Sequence, residues 1–113
     1  KKPKVLIMGL AFKENCPDSR NNRSIDIMKQ LQIKGCEVEV HDPWVSEEEA
    51  FKNYKISLIK IPPINTYDAI ILAVSHKQFK KLGVNKIRSF GKSKHILYDL
   101  KHIFSPEEAD IRL

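Results

Sequence analysis

The sequence predicts an α/β protein, with a mostly parallel, open sheet of about five strands and helices on both faces, in three layers. Apolar runs of strand length alternate with segments of helical periodicity along most of the chain. Residues 5–8 are apolar at every position, which is typical of a strand buried on both faces. Strands that alternate with helices in this way favour a parallel sheet.

The first half of the chain predicts three of these elements in order. Residues 5–8 form the first strand, and residues 10–22, rich in Asn, Asp, Pro and Ser, form an irregular loop. Residues 25–33 place one apolar stripe at helical spacing, after Ser24 and before Gly35, a residue typical of a helix end. Residues 38–40 then alternate as a short strand.

The second half continues the alternation. Ser46 followed by three glutamates indicates a helix start, with acidic groups near the positive end of the helix dipole. Residues 56–59 predict a weak edge strand, residues 67–74 the strongest strand, and residues 95–99 the last one. Short helices are predicted at 76–82 and 84–90, while 107–113 is a tail without a predicted structure.

This order predicts a Rossmann-like sheet, and it also predicts where a ligand binds. In such sheets ligands lie beyond the carboxyl ends of the strands, near the point where the strand order reverses. The loop after the first strand is therefore the expected site.

Composition narrows the class of protein. We expect one domain, 1–113, because 113 residues with 42% hydrophobic residues can bury a core. The sequence starts without an initiator Met and reaches an apolar strand at once, so we expect a domain cut from a longer protein. The net charge of +6 favours anionic partners, but the basic residues are scattered, and the charge alone favours the interpretation of a solvated basic surface. No apolar run approaches the roughly 20 residues that span a membrane. Two cysteines without metal or redox spacing indicate reduced thiols and a cytoplasmic protein.

The loop at 9–22 reads GLAFKENCPDSRNN. It contains one glycine of the G-x-G-x-x-G fingerprint, Gly9, so a standard pyrophosphate cradle is not expected. Phe12 and Lys13 place an aromatic ring beside a cation, and Arg20 adds a second cation. These groups suit a nucleotide diphosphate. From the chemistry alone, an ordinary polar loop remains equally open.

This loop, the apolar helix after it and VEVHDPW at 38–44 together resemble the UDP-glucose/GDP-mannose dehydrogenase family, in its C-terminal UDP-binding domain. The resemblance covers residues 4–113, and the NCPD sequence is most similar to the branch that oxidises UDP-N-acetylhexosamines for surface polysaccharides. It implies an NAD-dependent enzyme that converts the sugar C6 alcohol to a carboxylate. It also implies that NAD is bound mainly by an N-terminal domain, and that the full enzyme is a homodimer or a larger oligomer.

The resemblance also implies roles for particular residues. Phe12, Lys13 and Arg112 would contact the UDP-sugar, and Arg20 would reach NAD on the neighbouring domain. The catalytic nucleophile of the family lies upstream, so no catalytic residue is expected here and the isolated chain should be inactive. Cys16, although it lies in the motif, is interpreted as structural or incidental.

Other residues and classes of protein stay open. Asp42 ends the second strand, where dinucleotide-binding sheets hold a ribose hydroxyl, but a turn or cap role is the favoured interpretation. Lys101 either approaches the loop or lies on the surface. The four histidines lack metal-ligand spacing, so no metal is expected. The main alternative is a stand-alone nucleotide- or CoA-binding regulatory α/β module. Nucleic-acid binding is disfavoured because only the charge suggests it.

Overall fold

A computed structural model describes residues 2–10, 23–54 and 56–112 of the chain. Strands and helices alternate along it, and the last strand is very short. In chain order the elements are β1 (Lys4–Met8), α1 (Arg23–Ile33), β2 (Glu37–His41), α2 (Glu47–Tyr54), β3 (Tyr67–Leu72), α3 (Lys77–Leu82), α4 (Val84–Arg88), β4 (Gly91–Asp99) and β5 (Ile111–Arg112).

The strands form one sheet in the order β2-β1-β3-β4-β5. Each neighbouring pair of strands is parallel. The predicted open parallel sheet is therefore confirmed, with four strands of five to nine residues and a fifth of two residues. The chain moves from β1 to β2 on one side and then crosses to β3 on the other, so the strand order reverses at β1.

Helices cover both faces of the sheet, as predicted. On one face, Val5 and Ile7 of β1 pack in a cluster with Ile25 and Met28 of α1. On the other face, Leu6 and Met8 belong to a second cluster, which includes Phe79 of α3, Ile87 of α4 and Leu97 of β4. Burying a side chain of this size contributes about 1.5–3 kcal/mol. Residues 5–8 of β1 contribute side chains to both clusters, which explains why all four are apolar.

Helix α1 ends as the sequence predicts. Gly35 has a φ of 93°, a left-handed conformation that glycine adopts without steric cost. The amide of Gly35 donates to the carbonyl of Gln32 at 3.0 Å, and that of Cys36 donates to Leu31 at 3.0 Å. These bonds satisfy carbonyls at the end of the helix and turn the chain into β2.

Two sequence-based assignments differ from the structure. Residues 56–59, predicted as an edge strand, make only an isolated bridge between Leu58 and Val40. The tail, for which no structure was predicted, contains β5. Asp110 fixes this segment because its Oδ2 accepts the amide of Leu97 at 2.7 Å and a guanidinium N–H of Arg88 at 3.1 Å. These contacts come from residues distant in sequence, so no local pattern in the tail could indicate them.

Candidate functional site

The carboxyl ends of β1 and β3 lie side by side at the point where the strand order reverses. The amide of Ala73, just after β3, donates to the carbonyl of Met8 at 3.0 Å, and the amide of Gly9, just after β1, donates to His41 at 2.8 Å. The strands β1, β2 and β3 thus end together. This edge is where open α/β sheets bind ligands.

Gly9 lets the two loops at this edge come into contact. Its φ is 114°, and a Cβ added there would lie 2.6 Å from Cβ of Val74 and 2.8 Å from the backbone nitrogen of Val74. Real Cβ atoms do not approach so closely. A side chain at position 9 would therefore separate the loop after β1 from the loop after β3.

Asp42, the residue after β2, joins the loops through its carboxylate. Its Oδ2 accepts the amide of Leu10 at 2.6 Å and Nε2–H of His76 at 2.9 Å. Its Oδ1 accepts the amides of Trp44 at 2.6 Å and Val45 at 3.1 Å. The two bonds to residues just beyond Asp42 confirm the interpretation of Asp42 as a turn or cap residue.

The same geometry tests whether this sheet edge suits NAD. In dinucleotide-binding sheets, a carboxylate at this position holds the ribose hydroxyl, after a glycine-rich first loop. Here the two oxygens of Asp42, which is 6% exposed, already accept four N–H groups. A carboxylate offers about four lone-pair sites. The edge therefore does not fit the ribose of a dinucleotide in the usual way.

His76 is a residue whose importance the sequence analysis missed. It is fully buried after β3 and is one of four buried polar or charged residues in the described chain. Since a carboxylate only accepts, Nε2 of His76 carries the proton of the bond to Asp42. The imidazole packs edge-on against Phe79, with ring centroids 5.3 Å apart, and its plane is tilted relative to the ring of Trp44, whose centroid is 6.3 Å away. Its place directly after the strongest predicted strand could have indicated it.

Ser24, in the first turn of α1, binds back to the same edge. Its hydroxyl donates to the carbonyl of Gly9 at 2.6 Å, and the residue is buried. Leu10 and Ser24, on either side of residues 11–22, are thus both held near the end of β1. Phe12, Lys13, Cys16 and Arg20 lie outside the described residues.

Arg112 belongs to the short strand β5, whose side chains are described only in part. Its main chain pairs in register with Asp99, the last residue of β4, so the backbone of Arg112 reaches the carboxyl edge of the sheet. Asp99 is fully buried and accepts the amides of Ile103 at 3.0 Å and Phe104 at 2.8 Å. The side chain of Arg112 itself is not among the groups described.

The ion pair that fixes β5 also perturbs a carboxyl group. The hydrogen bond from Arg88 and the bond from the amide of Leu97 hold the pKa of Asp110 below its ordinary value. At the amino end of β3, burial and the bond to Glu39 raise the pKa of Tyr67 well above its usual range. Both perturbations have structural causes and lie away from the edge where β1 and β3 end.

A groove of about 580 Å³ runs along the face of the sheet beside α1. Among the described residues, Lys101 is the single charged side chain in its lining, whereas a diphosphate is usually bound by several charged or N–H groups. Lys101 is exposed and contributes to this lining. The surface interpretation of Lys101 is compatible with that position. The other lining residues are Val5, Ile27, Leu31, Ala69, Ile71, Ala73, Ile96, Tyr98, Leu100 and Ile111.

The described residues contain neither a candidate metal site nor a helix that could span a membrane. Within 2–10, 23–54 and 56–112, no three His, Cys, Asp or Glu side chains are grouped so that they could hold a metal ion. No helix in the same part of the chain combines the length and the apolar character needed to cross a membrane.

Comparison with known proteins decides the family. The model of the UDP-glucose/GDP-mannose dehydrogenase family, UDP binding domain, matches residues 6–106. The chain belongs to this family. The match includes the end of β1 and the loops after β2 and β3, and it stops before β5.

Individual relatives agree with the family assignment. The chain is 51% identical to a UDP-N-acetyl-D-glucosamine 6-dehydrogenase of Salmonella typhi over 96% of its length, and 48% identical to one of Pseudomonas aeruginosa over 97%. A UDP-glucose dehydrogenase structure from Pyrobaculum islandicum superimposes with a TM-score of 0.75 over 99% of this chain, at 24% identity. That structure supports the fold alone.

The chain spans about a quarter of the length of these relatives. It covers 26% of each of the two bacterial dehydrogenases and 25% of the archaeal structure. The UDP-binding domain is thus one part of the proteins that contain it.

Proposed function

We propose that this chain is the UDP-binding part of an NAD-dependent UDP-sugar 6-dehydrogenase whose substrate is a UDP-N-acetylhexosamine. The observation that carries the proposal is the identity of 51% over nearly the whole chain with a UDP-N-acetyl-D-glucosamine 6-dehydrogenase. The enzyme would be cytoplasmic, would act as a homodimer or larger oligomer, and would supply precursors of surface polysaccharides.

The chemistry of the proposed reaction divides the work among parts of the enzyme. The sugar C6 alcohol and one water molecule would give a carboxylate and three protons, while two NAD⁺ become two NADH. When bound, NAD would accept the hydrides that leave the substrate. The Asp42 carboxylate is already bonded to four N–H groups, which supports a main NAD site outside this chain.

Within this chain, the proposed work is to bind the nucleotide. Phe12 and Lys13 follow Gly9 and Leu10, which are held at the switch point of the sheet. Lys13 would bind the diphosphate by charge and Phe12 would pack against the substrate. Arg112 would approach from β5, whose backbone reaches the same edge. Arg20 would reach towards the NAD of the neighbouring domain.

The experiment that tests the nucleotide role uses the 113-residue chain. Titration of UDP, followed by NMR, should shift the amide signals of Gly9, Leu10 and residues near them. Cytidine diphosphate is the matched control for the base, and uridine the control for the diphosphate. Absence of any shift with UDP at millimolar concentration would contradict the proposal.

The experiment that tests the enzymatic role uses the full-length protein. It should reduce two NAD per molecule of UDP-N-acetylhexosamine oxidised and should prefer that substrate to UDP-glucose. The 113-residue chain alone should produce no NADH above a protein-free blank. NADH formed by the short chain would show that a catalytic group lies within it.

A further inference from the structure

Asp42 is a buried carboxylate that collects donors from three separate segments of the chain. Leu10 follows β1, Trp44 and Val45 follow β2, and His76 follows β3. A buried charge is costly unless it is hydrogen-bonded, and removing one of its partners is more costly still. The loops that follow the three strands are therefore coupled through one side chain.

The coupling reaches the segment to which the nucleotide role is assigned. Leu10 stands two residues before Phe12 and three before Lys13. Leu10 is therefore the described residue nearest in sequence, on the β1 side, to the two residues that are proposed to bind the nucleotide.

The carbonyl of Gly9 is held by a residue that follows residues 11–22 in the sequence. Ser24 donates to the carbonyl of Gly9, the residue immediately before Leu10. The peptide group between Gly9 and Leu10 is therefore fixed on both sides, its carbonyl by Ser24 and its N–H by Asp42. A backbone group that is held before binding loses less entropy when a ligand binds beside it.

We propose that Asp42 and His76 are positioning residues for nucleotide binding: the carboxylate holds the amide of Leu10, and His76 holds the carboxylate. This inference rests on the proposed binding of UDP by the loop that begins at Gly9. It assigns to Asp42 a role different from the direct ribose contact made by carboxylates at this position in dinucleotide-binding sheets.

Three substitutions test the two residues. Asp42→Asn keeps the shape of the side chain, but an amide NH₂ cannot accept, so donors on one side of the group lose their acceptor. His76→Leu removes the N–H that bonds Asp42. His76→Gln retains an N–H donor on a side chain of similar reach and serves as the conservative variant.

Asp68→Asn is the control for loss of a carboxylate. Asp68 accepts the amide of Lys4 at 2.8 Å and pairs with Lys92 at 3.3 Å, but it lies at the amino end of β3, opposite the proposed site. The dissociation constant for UDP would be measured by NMR titration of the 113-residue chain, with thermal unfolding recorded for every variant.

Asp42→Asn and His76→Leu should each raise the dissociation constant for UDP by about tenfold or more, comparable to the loss of a charge-assisted hydrogen bond. His76→Gln should recover most of the affinity, and Asp68→Asn should leave it unchanged. In a Lys13→Ala background, Asp42→Asn should weaken UDP binding by a much smaller factor, because Asp42 acts through the loop that carries Lys13.

The possible results distinguish a failure of the proposed function from a failure of the positioning role alone. Failure of the wild-type chain to bind UDP would overturn the proposed function and this inference with it. Normal UDP binding by folded Asp42→Asn or His76→Leu would overturn the inference alone, as would an equal loss with and without Lys13. If Asp42→Asn does not fold, the comparison of His76→Leu with His76→Gln decides: equal affinities refute the positioning role.

Discussion

Gly9→Ala tests whether the contact between the loops after β1 and β3 stabilises the protein. The substitution imposes two separate costs. An L-residue held at a φ of 114° is strained by about 1–3 kcal/mol. The added Cβ, 2.6 Å from Cβ of Val74, forces a rearrangement that typically costs about 1–3 kcal/mol. The expected loss is thus about 2–6 kcal/mol, a large share of the roughly 5–15 kcal/mol that stabilises a domain.

Gly35→Ala is the matched control for this prediction. Gly35 has a φ of 93°, but an added Cβ would meet nothing within 4 Å. It therefore carries the cost of backbone strain alone. The difference between the two variants isolates the contact with Val74. Substituting Val74 by alanine in addition should not restore stability, since the close atoms include Cβ and the backbone nitrogen of Val74, which alanine retains.

Urea unfolding followed by far-ultraviolet circular dichroism measures the free energy of unfolding of each variant. We expect Gly9→Ala to lose more than Gly35→Ala by about 1–3 kcal/mol. Equal losses in the two variants would refute the reasoning from Val74. A Gly9→Ala variant within about 0.5 kcal/mol of the wild type would refute the argument from strain as well.

Three further predictions concern charged residues. In the full-length enzyme, Lys13→Ala should raise KM for the UDP-sugar by about tenfold to a hundredfold, with a smaller change in kcat, because a charge-assisted bond to phosphate is lost. An unchanged KM would exclude a contact between Lys13 and the phosphate. Arg20→Lys keeps the charge but loses the bidentate fork of the guanidinium, so it should raise KM for NAD or lower kcat. UDP and NAD would be titrated separately into the variant, and a loss confined to UDP binding would contradict this prediction. Asp110→Asn should lower the free energy of unfolding at neutral pH. The bonds that lower the pKa of Asp110 stabilise the folded protein at pH values above the ordinary pKa of 3.8, and this stabilisation is lost as the pH falls through the lower pKa of the folded state. The difference in free energy of unfolding between the variant and the wild type should therefore shrink in acid. A difference that stays constant with pH would contradict this.

Much of the fold could be predicted because its main elements carry local patterns. The apolar runs that become β1 and β3 indicate strands buried on both faces, and the apolar stripe of α1 ends at a glycine that adopts the left-handed conformation. β5 could not be predicted in this way, since two residues have no periodicity. Its place depends on Asp110 bonding Arg88 and Leu97, contacts that only the folded chain creates.

Less of the candidate site than of the fold could be predicted from the sequence. From the sequence, the loop after β1 is the predicted site, and the family resemblance implies the roles of Phe12, Lys13, Arg20 and Arg112. Both the location and the roles stay predictions. The sequence did not indicate the bond between Asp42 and His76, because the two residues are 34 positions apart in the sequence. Such a pair becomes visible only when parallel strands bring the ends of β2 and β3 to one edge.

The parallel order of the strands has a consequence for how the chain acquires its structure. β1 pairs with residues much further along the chain, such as Lys4 with Glu37 and Val5 with Ala69. Pairings between residues so distant in sequence form slowly compared with local ones. During synthesis, the apolar β1 therefore emerges from the ribosome well before β3, its partner at the centre of the sheet, exists. Until then its hydrophobic side chains are open to aggregation, and a chain that stops before β3 should depend on chaperones or be degraded.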